Sequence, residues 1–215
     1  MAGILDLLTS NMGKSIISGV AGSTGQSTDI TNNVLTMAMP VLTKAMQRNA
    51  ASPSGAESLM GALSNKHNGG ILDNLGDLFE GGVNEEVLQD GGKILNHVLG
   101  SKQQGVEQII GQKAGIDAGS VTTILQTAAP LLMGMLGKQT RDQGISNSGD
   151  LTNMLGGLLG GNSTQNEQNF LDQILDADGD GSVIDDVAGM VLGGSQKGAS
   201  GGLLGGLLGG LFGKK

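Results

Sequence analysis

Ile124-Leu-Gln-Thr-Ala-Ala-Pro130-Leu-Leu132, continued by Met135 and Leu136, is the stretch that decides how this chain folds. Ile124, Leu125, Ala128, Leu131, Leu132, Met135 and Leu136 recur at three and four residues, the spacing of one face of an α-helix. Val34-Leu-Thr-Met-Ala-Met-Pro40-Val-Leu42 has the same form earlier in the chain, inside the run Ile30, Val34, Leu35, Ala38, Val41, Leu42, Ala45 and Met46. Each stretch carries a proline. Within a helix, proline removes one hydrogen bond and bends the axis, so both prolines are expected to mark kinks in core helices. Upstream, Ile16-Ile17 and Ala21-Gly22 are similar to Ile109-Ile110 and Ala114-Gly115. The chain is therefore expected to hold two related units, each a short helix, a glycine turn and a longer proline-bearing helix. Thr28 or Asp29 is expected to cap the first long helix, and Asp117 or Ser120 the second.

The rest of the sequence supports an all-α, multi-helical bundle. Ile4, Leu5, Leu7 and Leu8 make a short amphipathic start, and no long β-branched alternation suggests strands. With 40 glycines in 215 residues, helices should be short, glycine-capped or closely packed, because glycine weakens a helix by roughly 1 kcal/mol relative to alanine. Three Phe and no Trp or Tyr leave the core to Leu, Ile, Val, Met and Ala. The net charge of −8 disfavours nucleic acid as a partner, since phosphate contacts need clustered Lys and Arg. Without cysteine, disulfides, thiolate metal sites and cysteine nucleophiles are excluded. Met1-Ala-Gly-Ile-Leu-Asp-Leu-Leu8 has no basic start and no long apolar stretch, so no signal peptide is expected and a cytoplasmic location is.

The expected organisation is a first helical unit over 1–64, a connecting helix and second unit over 65–145, and a Gly/Leu/polar linker over 146–165. A loop module over 166–195 and a Gly/Leu-rich tail over 196–215 follow. Between the units, Ser64-Asn-Lys-His67-Asn-Gly-Gly70 reads as a polar turn.

Gly92-Lys-Ile94-Leu95-Asn-His97-Val98-Leu99-Gly100 resembles the glycine-flanked Ile-Leu-x-His segment of the bacterial YidB-like family, the domain of unknown function numbered 937. Ala129-Pro130-Leu131-Leu132-Met133-Gly134 and Asp178-Gly-Asp-Gly-Ser-Val-Ile-Asp-Asp186 are also similar to that family. The resemblance spans roughly residues 1–190. It implies an all-helical fold and no enzyme activity.

Asp176-Ala-Asp178-Gly-Asp180-Gly181-Ser182 matches the first half of an EF-hand calcium loop, with carboxylates at positions 1, 3 and 5 and glycine at 6. Val187 stands where the bidentate Glu belongs, so Asp185 or Asp186 would have to close the cage. Calcium is the expected, structural cofactor, with Asp176, Asp178, Asp180, Ser182, Asp185 and Asp186 as ligands. The competing reading is a capping box at Ser182-Val-Ile-Asp185 that merely starts a helix.

In the tail, Gly201 to Lys215 repeats every four residues. Leu203, Leu207 and Leu211 would share one helical row, and Gly201, Gly205 and Gly209 would leave a stripe for close approach. It reads either as chain disordered in isolation or as a helix formed on a membrane or partner.

His67 and His97 are the only histidines, too few for a zinc site. His97 is expected to pack rather than to react. Gly13-Lys14-Ser15 lacks the earlier glycine and strand of a phosphate loop; Leu8 holds the glycine's place. The expected function is that of a non-catalytic helical scaffold or assembly protein with a protein partner or self-association. The alternative is a peripheral membrane protein that uses residues 201–215.

Overall fold

The computed structural model describes residues 4–79 and 84–160, and these are helical almost throughout. In chain order they form α1 (Ile4–Thr9), α2 (Asn11–Thr24), α3 (Thr28–Ala50), α4 (Pro53–Gly61), a π turn (Ala62–Lys66), a 3-10 turn (Gly70–Asn74) and α5 (Leu75–Phe79). Then come α6 (Glu85–Leu99), a 3-10 turn (Gly100–Lys102), α7 (Gln103–Ala114), α8 (Ala118–Asp142) and α9 (Ser148–Gly160). The all-α expectation holds for these residues.

Local chemistry sets most helix starts. Ser10, Ser27, Ser52 and Asp117 have extended backbones, and their side-chain oxygens accept from the backbone N–H three residues on. Ser27, not Thr28 or Asp29, caps α3. Asp117 caps α8 as expected, and the Ser120 hydroxyl also donates to it at 2.7 Å. These two bonds from Ser120, the hydroxyl first, hold the Asp117 carboxyl below its usual range. α2 and α7 both end at left-handed glycines, Gly25 at φ 70° and Gly115 at φ 73°, which turn the chain into α3 and α8.

The bundle is wound around α8, which packs against α2, α3, α6, α7 and the two turns that precede α5. All seven apolar positions read from its sequence are buried. Among the described residues α8 is the one helix long and apolar enough to cross a membrane, but 72% of its apolar window is buried inside the bundle. Its apolarity is that of a core.

Both prolines sit inside unbroken helices, Pro40 in α3 and Pro130 in α8. Lacking an N–H, Pro130 leaves the Gln126 carbonyl without its helical partner. That oxygen faces Gly91 of α6, where an added Cβ would lie only 1.8 Å from it. The crossing of α6 and α8 is therefore a backbone-on-backbone contact that glycine alone permits.

α9 lies in the stretch expected to link modules. Its Leu151, Met154, Leu155 and Leu158 are buried, and it packs on α3 and α4. Gly156 faces Gln47 of α3, whose Nε2 would be 2.8 Å from an added Cβ.

Among the described residues, one buried side-chain polar atom has no partner, the Thr31 hydroxyl of α3. A buried unpaired hydroxyl costs roughly 1–3 kcal/mol. Thr31→Val keeps the shape and removes that group, so urea unfolding of the variant should show a gain of about 1 kcal/mol. A loss of stability would mean that the hydroxyl is satisfied in solution.

Candidate functional site

The histidines, 30 residues apart in sequence, come together on one cavity of about 330 Å³. Its walls are Ser58 and Leu59 of α4, Ala62 of the π turn, His67 just after that turn, Lys93, Ile94, His97 and Val98 of α6, and Met133 of α8. Leu59, Ile94, Val98 and Met133 are core residues, so the floor is apolar. Ser58, Lys93 and His97 are exposed and form the rim, whereas His67 is only 6% exposed.

The approach of His67 follows from the chain around it. After α4 the helix widens into the π turn, and the His67 N–H donates to the Ala62 carbonyl at 2.9 Å. Single π turns occur frequently at functional sites. Asn68 then folds the chain back by accepting from the Gly70 N–H at 3.1 Å, and Gly69 takes φ 103°. The His67 carbonyl rests on α8 at Gly137, 1.8 Å from where a Cβ would stand.

α6 supplies the opposite wall. Asn84 caps it by accepting from the Glu86 N–H at 2.8 Å. Its last turn is fastened by Asn49 of α3, whose Nδ2 donates to the carbonyls of His97 and Val98, both at 3.3 Å. One turn apart on α6, Lys93 and His97 share a face.

Asp90, also on α6, lies 3.7 Å from His67 Nε2 and is bonded by Lys66. Burial is the largest influence on His67 and pushes its pKa down from 6.5; Asp90 opposes that, and Lys66 adds to it. His67 is therefore neutral at pH 7. No hydrogen bond joins Ser58 to either histidine.

The lowered pKa gives a pH dependence with a definite sign. The unfolded chain takes up a proton at this residue near 6.5, the folded chain only at lower pH. Stability present above 6.5 is therefore lost progressively as pH falls below it, down to the folded pKa. Urea unfolding at pH 7.5 and 5.5 should show a drop in the wild type that is smaller in His67→Gln. Equal drops would place His67 in solvent.

His67 lies at a turn, as read from sequence, but the exposure of the two histidines is the reverse of what was expected. His97 is exposed at the rim instead of packed, and His67, placed in a polar turn, is the buried member. The calcium expectation is corrected. Among the described residues, no three His, Cys, Asp or Glu side chains come together to hold a metal ion. Calcium needs six to eight oxygens around it, whereas Asp90 is bonded by Lys66 and Glu107 accepts from Gln103 and Thr122. Asp176, Asp178, Asp180, Ser182, Asp185 and Asp186 lie outside the described residues, as do residues 201–215.

A central proline-bearing helix wrapped by shorter ones, with a histidine-lined cavity on one flank, defines an all-α bundle protein with a small-molecule-sized recess. The chain belongs to the family described as "Bacterial protein of unknown function (DUF937)", which matches residues 6–139. That match covers all of α2 to α7, and α8 through Gln139. No curated protein and no solved structure matches the chain significantly.

Proposed function

We propose that this protein is a non-catalytic helical assembly protein that self-associates through its C-terminal Gly/Leu segment. One observation carries this reading. Leu155-Gly-Gly-Leu-Leu-Gly-Gly161, most of which lies in α9, recurs letter for letter as Leu204-Gly-Gly-Leu-Leu-Gly-Gly210. A second register fits still better. With Leu151 set on Leu204, the buried residues Met154, Leu155 and Leu158 fall on Leu207, Leu208 and Leu211, and Gly156 falls on Gly209. The tail thus repeats the pattern by which α9 docks on α3 and α4. With that groove filled by α9, a second segment of the same pattern is left to pair elsewhere. The folded body offers little competition, since Met12 is the one exposed large hydrophobic residue among those described.

The two halves of the body support a scaffold built from related units. Gly25 and Gly115 turn alike into helices that carry Pro40 and Pro130. The setting proposed for this activity is the cytoplasm. Light scattering of the full chain and of residues 1–195 over a range of concentrations tests the proposal. Growth in mass for the full chain alone is expected, and a strictly monomeric full chain would sink it. The runner-up, binding to a membrane surface, is favoured by Lys214-Lys215 beside Leu211 and Phe212. It requires anionic vesicles to pellet the full chain and not the truncation.

A further inference from the structure

We infer that the cavity between α4, α6 and α8 is a binding site for a small anionic amphiphile, a medium-chain carboxylate, with the carboxylate at Lys93 and His97 and the alkyl chain against Leu59, Ile94, Val98 and Met133. Its volume of about 330 Å³ lies at the lower end of the range for small-molecule sites, which are mostly apolar with a few placed polar groups. That size and lining fit a short alkyl chain.

Charge selects the head group. In a chain of net charge −8, no carboxylate lines this cavity. Asp90, 3.7 Å from His67 Nε2, is already engaged by Lys66. Lys93, by contrast, has no acidic partner among the described residues. An ammonium group without a counter-ion at the mouth of an apolar recess, with the His97 ring one turn away and the Ser58 hydroxyl across the rim, presents donors to an incoming carboxylate. Inorganic anions would satisfy the rim and leave the floor empty; a neutral alkane or alcohol would do the reverse. His67 has a different place. Buried and neutral, it closes the inner end and bears no charge for the ligand to meet.

The experiment is a titration of the full chain with sodium octanoate, followed by proton NMR of the two histidine rings. With only two histidines, both signals can be assigned from single variants. Saturable shifts are expected with octanoate and not with acetate or octylammonium at the same concentrations. Lys93→Met should weaken octanoate binding about tenfold or more, the worth of one charge-assisted contact. Because Lys93 is exposed, this variant should keep the wild-type circular dichroism. No saturable shift with octanoate up to millimolar concentration would overturn the proposal, as would octylammonium binding equally well. An undiminished affinity in folded Lys93→Met would overturn it too. None of these outcomes depends on assembly through the tail, which the truncation to residues 1–195 tests separately.

Discussion

Gly91→Ala should lose about 3 kcal/mol of stability, near the upper end of what overpacking a tight interior costs. The melting temperature should fall by roughly 10 °C for a body of this size. The reason lies in what the new methyl meets. It would stand 1.8 Å from the Gln126 oxygen and 2.6 Å from the carbonyl carbon. Both are backbone atoms of α8, and no side chain can swing aside to make room. The clash is also with the one carbonyl that Pro130 deprives of its helical hydrogen bond, so the helices can separate only by exposing it. Gly22→Ala is the matched control. Gly22 is an exposed helical position with no atom within 4 Å of an added Cβ. There the gain in helix propensity should stabilise the chain by up to about 1 kcal/mol. Thermal unfolding followed by circular dichroism reads both. The contrast would be lost if Gly91→Ala melted with the wild type.

Gly137→Ala should cost as much, about 3 kcal/mol, and should also dismantle the cavity. Its Cβ would lie 1.8 Å from the His67 carbonyl oxygen and 2.9 Å from that of Leu63. The π turn that carries His67 would be forced off α8 at both points. His67 owes its lowered pKa chiefly to burial, so displacement into water should return it towards 6.5. Proton NMR of the His67 ring across pH 4–8 in the folded variant measures this directly. If the ring titrated as in the wild type while stability fell, the π turn would be shown to follow α8 as a rigid unit.

Much of the fold was legible because periodicity reports which face of a helix is apolar. Every residue named on the α8 face is buried, and on α3 Ile30 is the exception, only half-buried in the first turn. Caps were legible to within a residue; Ser27 serves α3 because its hydroxyl, one position earlier, reaches the Ile30 N–H at 3.2 Å. α9 was hidden by glycine, which lowers local helix propensity, whereas docking of Leu151, Met154, Leu155 and Leu158 on the body more than offsets that loss. The candidate site was hardly legible. His97 stood out as a residue, but its meeting with His67 depends on a π turn and on glycine contacts with α8, and neither leaves a periodic trace. A useful signal was present in the turn Asn68-Gly69-Gly70 directly after His67, the kind of sequence that folds a chain back on itself.

The close approaches at Gly13, Gly55, Gly91 and Gly137 have a consequence for how this gene can change. At each, an added Cβ would fall within 2.2 Å of a backbone oxygen. Every amino acid other than glycine carries that carbon, so no single-base change of codon supplies an acceptable replacement. Geometry alone makes substitution at these four positions costly, whatever the protein's activity. Gly22, exposed, and Gly61, half-buried, have nothing near an added Cβ and are free to vary. Random mutagenesis with selection for soluble chains that stay folded on heating should recover substitutions at the second pair far more often than at the first four.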